Sequence, residues 1–226
     1  MTSRILNPLS PRIGIINSTV MTSMEAAIIA TWVNKSTEPC RFPEIPYTFV
    51  LLLRGSQDEF NDAMFRSRCV DKGPTIVVMR VSGSRQIIGG YNPETWKIAE
   101  QNSGFNNRRS VQVTQDFIRC TNSFIFSFNY EPARSNVVSY ISDSIKAIRY
   151  LSNEFTGPVF GGGDLVMTGN NFKAEKSCYC VKTSYKESIM ESTKNFSVDE
   201  YEVFELVRKA LSPAMKTLYS YNTMST

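Results

Sequence analysis

The chain has 226 residues, 25 Lys and Arg against 21 Asp and Glu, a net charge of +4, and 42% hydrophobic residues. That is enough apolar material for the core of one globular domain, and the mild, dispersed positive charge carries no nucleic-acid signature. There is no histidine, which excludes Ser-His-Asp and Cys-His triads and every histidine-liganded zinc site.

The chain opens with a proline-punctuated polar stretch, residues 1–12, that reads as a flexible leader. It lacks the apolar core of a signal peptide, and runs such as 49–53 and 76–79 are far short of the roughly 20 residues that span a bilayer. A soluble, cytoplasmic protein is expected, without membrane insertion. Thr22-Ser23-Met24-Glu25 has the capping-box pattern and predicts a helix over 24–33, with Met24, Ala27, Ile28, Thr31 and Trp32 on its apolar stripe. Residues 47–53 have strand composition. Asp58 is placed to cap a second helix whose stripe is Phe60, Ala63, Met64 and Ser67, with Phe65 at its edge.

From residue 75 the apolar pattern changes to period two. Residues 75–81 and 86–91 around Gly83 predict a hairpin. The polar segment 92–122 predicts an exposed excursion. In 123–128 the alternation places Phe124, Phe126 and Phe128 on one core-facing side. Residues 137–141 and 145–151 read as a hairpin turned by Ser142-Asp143-Ser144, and 164–168, 177–182 and 201–207 as further strands. Helices confined to the first third and many short strands predict a mainly β, two-sheet antiparallel sandwich with flanking helices, over residues 13–210. Residues 211–226 read as a disordered tail.

Several of these segments together resemble the TLDc domain: 47–56 (YTFVLLLRGS), 71–78 (DKGPTIVV), 86–93 (QIIGGYNP) with Trp96 beyond, 123–128 (SFIFSF), 157–165 (GPVFGGGDL) and 196–204 (FSVDEYEVF). The similarity runs from about residue 15 to 207. Its style is closest to stand-alone or BTB-associated TLDc proteins of fungi and other unicellular eukaryotes, with no BTB or kinase segment in these 226 residues. The resemblance implies a two-sheet sandwich that acts by binding other proteins, in oxidative-stress protection or in regulation of the vacuolar proton-pumping ATPase. A protein partner is therefore expected, with a vacuolar ATPase subunit as the candidate, and no cofactor. Related proteins commonly carry Phe-His where this chain has Phe65-Arg66, and their glycine run is often longer than the one here.

Glu202 alternates with Phe204 and Leu206, so burial of that face would bury a carboxylate that needs a partner. Arg54 at the end of an apolar strand, with Ser56 and Asp58 just beyond, is the candidate, forming a polar clasp or interaction site. Gly161, Gly162 and Gly163 before Asp164 read as a tight turn, with a partner-contact loop or an anion-binding nest as alternatives. Gly89 and Gly90 inside a strand imply a bulge or a close backbone crossing, or else the shaping of a groove. The enzymatic alternative is a histidine-free hydrolase in which Asp58, Asp164 and Glu202 converge, with Ser56 as nucleophile or orienter.

The five cysteines, Cys40, Cys69, Cys120, Cys178 and Cys180, are odd in number and lack zinc-ligand spacing. They read as reduced, mostly buried thiols, and no metal site is expected. Cys69, beside Arg66 and Arg68, is the one candidate for a peroxide-reactive thiolate. Arg108-Arg109 and the basic 173–186 region lack interleaved aromatics, so they read as solvated surface and no nucleic-acid partner is expected.

Overall fold

The computed structural model describes residues 16–38, 40–99, 116–131, 135–151, 156–174 and 177–210. The leader 1–12, the tail 211–226 and Arg108-Arg109 lie outside them. The first helix, α1, spans Ser23–Val33 and a short 3-10 turn spans Phe42–Glu44. Strand β1 (Tyr47–Arg54) runs into the four-residue α2 (Gly55–Asp58) and then α3 (Asp62–Cys69). The strands that follow are β2 (Thr75–Val81), β3 (Ile87–Asn92), β4 (Phe117–Ile118), β5 (Phe124–Phe128) and β6 (Val137–Tyr140). They are completed by β7 (Ile148–Arg149), β8 (Thr156–Phe160), β9 (Leu165–Thr168), β10 (Cys178–Tyr179) and β11 (Val198–Arg208).

These strands form two antiparallel sheets, β1-β11-β2-β3-β5-β6 and β10-β9-β8-β7-β4. Between them lies a core in which Val77, Met79, Ile88 and Val203 of the larger sheet meet Phe160, Leu165, Met167 and Cys178 of the smaller. The larger sheet is covered on its outer face as well. There Ile76, Val78, Phe204 and Leu206 join Ala26, Ala27, Ile29 and Ala30 of α1. A sheet buried on both faces reads as a continuous apolar run, which is why β2 and β5 are buried along almost their whole length. The predicted phenylalanine face is real, and what fills the space above it is α1: the Trp32 ring lies 5.4–6.0 Å from the centroids of Phe124, Phe126 and Phe128.

The capping box forms at the predicted place, with Thr22 N–H donating to the Glu25 carboxylate and Glu25 N–H to the Thr22 hydroxyl. The buried face of α1 differs from expectation. Ala26, Ala27, Ile29 and Ala30 point inward while Met24 is 73% exposed. The helix is apolar almost all round, so periodicity could not select a face. The second predicted helix divides into two. Glu59, at φ 84°, breaks the chain after α2, and Asn61 rather than Asp58 caps α3, its side chain accepting from Met64 N–H at 2.8 Å. The inward residues of α3 are Asp62, Phe65 and Cys69, with Ala63 and Ser67 exposed.

Residues 137–151 do not make a hairpin. β6 pairs with β5 in the larger sheet and β7 with β4 and β8 in the smaller, so Ser142–Ser144 carries the chain from one sheet to the other. The described ends of 92–122 are also built into the fold. Trp96 is fully buried, its indole N–H donating to the Thr75 hydroxyl at 2.8 Å, and Ile118 and Cys120 are buried.

Gly89 and Gly90 sit in regular ladders with β2 and β5, with no bulge. A close backbone approach and aromatic rings explain them. A Cβ on Gly89 would collide with the Val77 carbonyl oxygen of β2 and fall 2.5 Å from Phe126 of the neighbouring strand, and one on Gly90 would fall 2.6 Å from Phe160 of the opposite sheet. Phe160 is locked in turn against Trp96, edge to face at 5.6 Å. Gly90→Ala therefore forces this ring contact apart and is expected to lower stability by about 1–3 kcal/mol, measured by urea unfolding, whereas Gly83→Ala, where a Cβ meets nothing but adopts φ +71°, isolates backbone strain from packing.

Candidate functional site

The cross-strand register places Arg54 of β1 directly opposite Glu202 of β11. Glu202 is fully buried and Arg54 is 7% exposed, and Arg54 Nε donates to Glu202 Oε1 at 2.6 Å. An isolated ion pair in such a place leaves lone pairs unsatisfied. Here the segment just before α1 supplies the rest. Ser18 hydroxyl donates to Oε2, and Thr19 donates from both its N–H (2.9 Å) and its hydroxyl (3.0 Å) to Oε1. Arg54 also reaches the Asn17 carbonyl and side-chain oxygens at 3.0 and 3.2 Å, and Arg80 donates to the Thr19 carbonyl.

Residues 16–21 are thus a strap laid across the end of the outer sheet face, with Ile16, Val20 and Met21 buried in the core beneath α1. Ser18 Oγ holds its shape by accepting from Val20 and Met21 N–H. Strand spacing and alternation nominated Arg54 and Glu202. Asn17, Ser18 and Thr19 were not nominated, and their only sequence signal is a polar triplet between apolar Ile16 and Val20.

Asp58 and Ser56 lie beside this cluster, each tied to backbone. Asp58 accepts from Arg54 N–H at 3.0 Å and from Arg68, while Ser56 donates its N–H to Glu200 at 3.0 Å. The Ser56 hydroxyl is not the group that engages the acids. Glu200, 7% exposed, also accepts from Tyr201 N–H and was a further group missed from the sequence.

Asp164 belongs to a separate arrangement. Gly161-Gly162-Gly163-Asp164 is the turn between β8 and β9, and Gly161 has φ +67° with the Asp164 carboxylate where a Cβ would lie. Asp164 accepts the backbone N–H groups of Thr183, Ser184 and Tyr185 at 2.8–3.1 Å, and the Thr183 hydroxyl. Three successive N–H groups around an anion form a nest, and the anion is this protein's own side chain. The loop amides of Gly161 and Gly162 donate to Ala147 O and Ser184 Oγ. Asp58 and Glu202 meet at Arg54, while Asp164 shares no hydrogen-bond partner with either, so the three carboxylates do not form one polar cluster.

Surface clefts lie elsewhere, at the Gly83 end of the larger sheet. One, of about 590 Å³, is lined by Arg85, Gln86, Asn129, Tyr130, Glu131 and Asp199. Another, of about 490 Å³, lies between α1 and Tyr130, with Met24, Ile28 and Phe128 in its wall. Neither is lined by Asp58, Asp164 or Glu202. Among the described residues, no group of three Cys, Asp or Glu is placed to share a metal ion, and no helix is long and apolar enough to cross a membrane.

All five cysteines are free, and all but the half-buried Cys40 are buried. Burial pushes the Cys178 thiol up to about 12 and raises Cys69 and Cys180 further. Cys69 is therefore the opposite of a peroxide-reactive thiolate: desolvation on the inner face of α3 outweighs the nearby Arg68.

The family model for the TLDc domain matches residues 15–207. No curated protein gives a significant match.

Removing the Glu202 side chain leaves Arg54 buried without its counter-charge. Glu202→Ala is expected to cost about 3–5 kcal/mol, and Ser18→Ala about 1–2 kcal/mol. Both should raise amide exchange over residues 16–22 before global unfolding. The thiols give a second prediction. Their folded pKa values lie above the ordinary 9.0, so above that pH the unfolded chain holds fewer protons than the folded one. Stability should be independent of these groups below pH 9 and fall as pH rises beyond it, and a Cys69→Ala, Cys178→Ala, Cys180→Ala chain should show a shallower slope in urea titrations, the remainder coming from Cys40, Cys120 and the buried tyrosines.

Proposed function

Because the chain belongs to the TLDc domain family, we propose that it is a regulatory domain that works by binding another protein, in the cytoplasm and in the protection of cells against oxidative stress. The observation that carries this reading is the inward commitment of its reactive groups. Glu202 accepts from Ser18, Thr19 and Arg54, Asp164 accepts from residues 183–185, and the Cys69, Cys178 and Cys180 thiols are buried and protonated. A protective role then runs through a partner rather than through chemistry on its own thiols. The partner suggested by the family is a subunit of the vacuolar proton-pumping ATPase.

Affinity capture of the full chain from its native cells, with and without peroxide, tests the partner. A proton-pump subunit should co-purify with wild-type protein and should lower ATP hydrolysis by the purified pump when the chain is added. Capture without any pump subunit removes that partner. Turnover of ester, phosphoester or glycoside substrates that Glu202→Gln abolishes while the fold survives would instead establish a hydrolase.

A further inference from the structure

The cleft between α1 and Tyr130 is an apolar groove open to solvent. Met24, in the first turn of α1, is 73% exposed, Ile28 and Phe128 form the wall, and Tyr130 on the far side is 51% exposed. Apolar side chains left in water gain free energy when a partner's apolar group covers them. The groove is also held in shape. The Tyr130 hydroxyl donates to Glu25, whose other carboxylate oxygen accepts Thr22 N–H in the capping box, so the ring is tied to the start of the helix.

What fits this groove is decided by the cleft beside it, which shares Asn129 and Tyr130 with it. The side-chain donors there are already spent. Gln86 gives its NH2 group to the Ser127 hydroxyl at 2.8 Å and the Ile189 carbonyl at 3.4 Å, and Asn129 gives its own to the Ser135 carbonyl at 2.8 Å. The Ser84 hydroxyl donates to the Val81 carbonyl, and the Tyr130 hydroxyl to Glu25. Both amides therefore retain a carbonyl oxygen, which can only accept. Glu131 and Asp199, both exposed, add carboxylates, and Asp199 accepts the Ser82 hydroxyl at 2.7 Å. Against these acceptors the described lining has one cation, the exposed Arg85, which has no ion pair among the described residues. On a chain of net charge +4 this is a locally acidic, donor-seeking surface. It favours cations and disfavours carboxylates and phosphates.

We infer that the two clefts form one docking surface for a segment of a partner protein that carries an arginine or lysine close to a large apolar residue. The cation enters the cleft of Glu131 and Asp199, where the carbonyl oxygens of Gln86 and Asn129 accept its N–H groups. The apolar side chain lies in the adjoining groove on Met24, Ile28 and Phe128. The inference rests on the reading of the chain as a domain that binds another protein, and adds the place and the chemistry of contact.

Titration of the nitrogen-labelled full chain with the capped peptide Gly-Arg-Ala-Leu-Gly, followed by magnetic resonance, should shift the amides of residues 24–28, 84–86 and 128–131. Exchanging the peptide's Arg for Glu should abolish those shifts, and exchanging its Leu for Gly should weaken binding at least about fivefold. Asp199→Lys should weaken binding of the Arg peptide at least about fivefold, while Arg85→Gln should tighten it. Met24→Ala should reduce the advantage of the Leu over the Gly peptide. Arg85→Gln carries the charge test alone if Asp199→Lys fails to fold. Shifts confined to other parts of the chain, equal binding of the Glu peptide, or unchanged affinity in both charge variants overturns the surface. Capture from native cells separates this inference from the broader reading. A partner recovered equally by the parent and by Asp199→Lys leaves a binding domain and overturns this surface, whereas no partner with either chain removes the binding reading while the peptide titration still decides the surface.

Discussion

An ionised carboxylate removed from water needs a counter-charge and a full set of hydrogen-bond donors, and the fully buried Glu202 obtains them from two separate parts of the chain, the Ser18-Thr19 segment and Arg54. Because it lies on β11, which pairs with β1 on one side and β2 on the other, satisfying it aligns the middle of the larger sheet. The β2 register that sets Glu202 opposite Val78 also sets Phe204 opposite Ile76, while on the β1 side a bulge between Leu51 and Leu53 separates the Arg54–Glu202 pair from the Leu51–Phe204 pair. Slipping β11 by one residue would turn the carboxylate toward the inter-sheet core and its apolar neighbours outward. The strap follows from the same requirement. Without Ser18 and Thr19 the carboxylate would keep only Arg54 as a donor, and without the carboxylate residues 17–19 would be held only by the arginine contacts to Asn17 and the Thr19 carbonyl.

Contact between the sheets is governed by a different constraint, the volume of aromatic rings. Phe160 reaches from the smaller sheet onto the bare backbone at Gly90, and Trp96 and Phe65 stack edge to face behind it. Gly89 gives Phe126 the same clearance on the outer face. Adjacent glycines on one strand thereby let rings approach from both sides, with the ladder itself undisturbed. The indole N–H finds its acceptor in Thr75 at the start of β2, so the ring stack is anchored to the sheet it covers.

How much of this was legible in the sequence depends on whether the information was local. Period-two alternation revealed β2, β3 and β5, and the capping box revealed the start of α1, because each signal lies within a few residues. The pairing of Arg54 with Glu202 was inferable from a buried-carboxylate argument once their strands were recognised. The donors Ser18 and Thr19 lie 184 and 183 residues away from it in sequence, and nothing local marks them. The apparent hairpin across Ser142–Ser144 failed for a similar reason: two apolar runs with a polar turn look alike whether the second run returns to its neighbour or crosses to the opposite sheet. The face of α1 was ambiguous because AAIIATW offers apolar residues in every direction, so the docking surface rather than the helix makes the choice.

The polar architecture also gives the missing histidines a positive meaning. Glu25, Asp58, Asp164, Glu200 and Glu202 each accept at least one backbone N–H, and together they fix a helix start, the turn after β1, the 183–185 segment and the strap. Carboxylates can hold such positions as acceptors only, whereas an imidazole in their place would exchange donor for acceptor character as its charge changes between about pH 5 and 8. For a domain proposed to work by recognition, the variable quantity is which edges and clefts are occupied, and in this chain the β1 edge and the Met24-Tyr130 cleft lie in different parts of the larger sheet. β1 is its outermost strand, while Met24 belongs to α1 and Tyr130 follows β5. Occupation of one therefore leaves the strand or helix that forms the other in place.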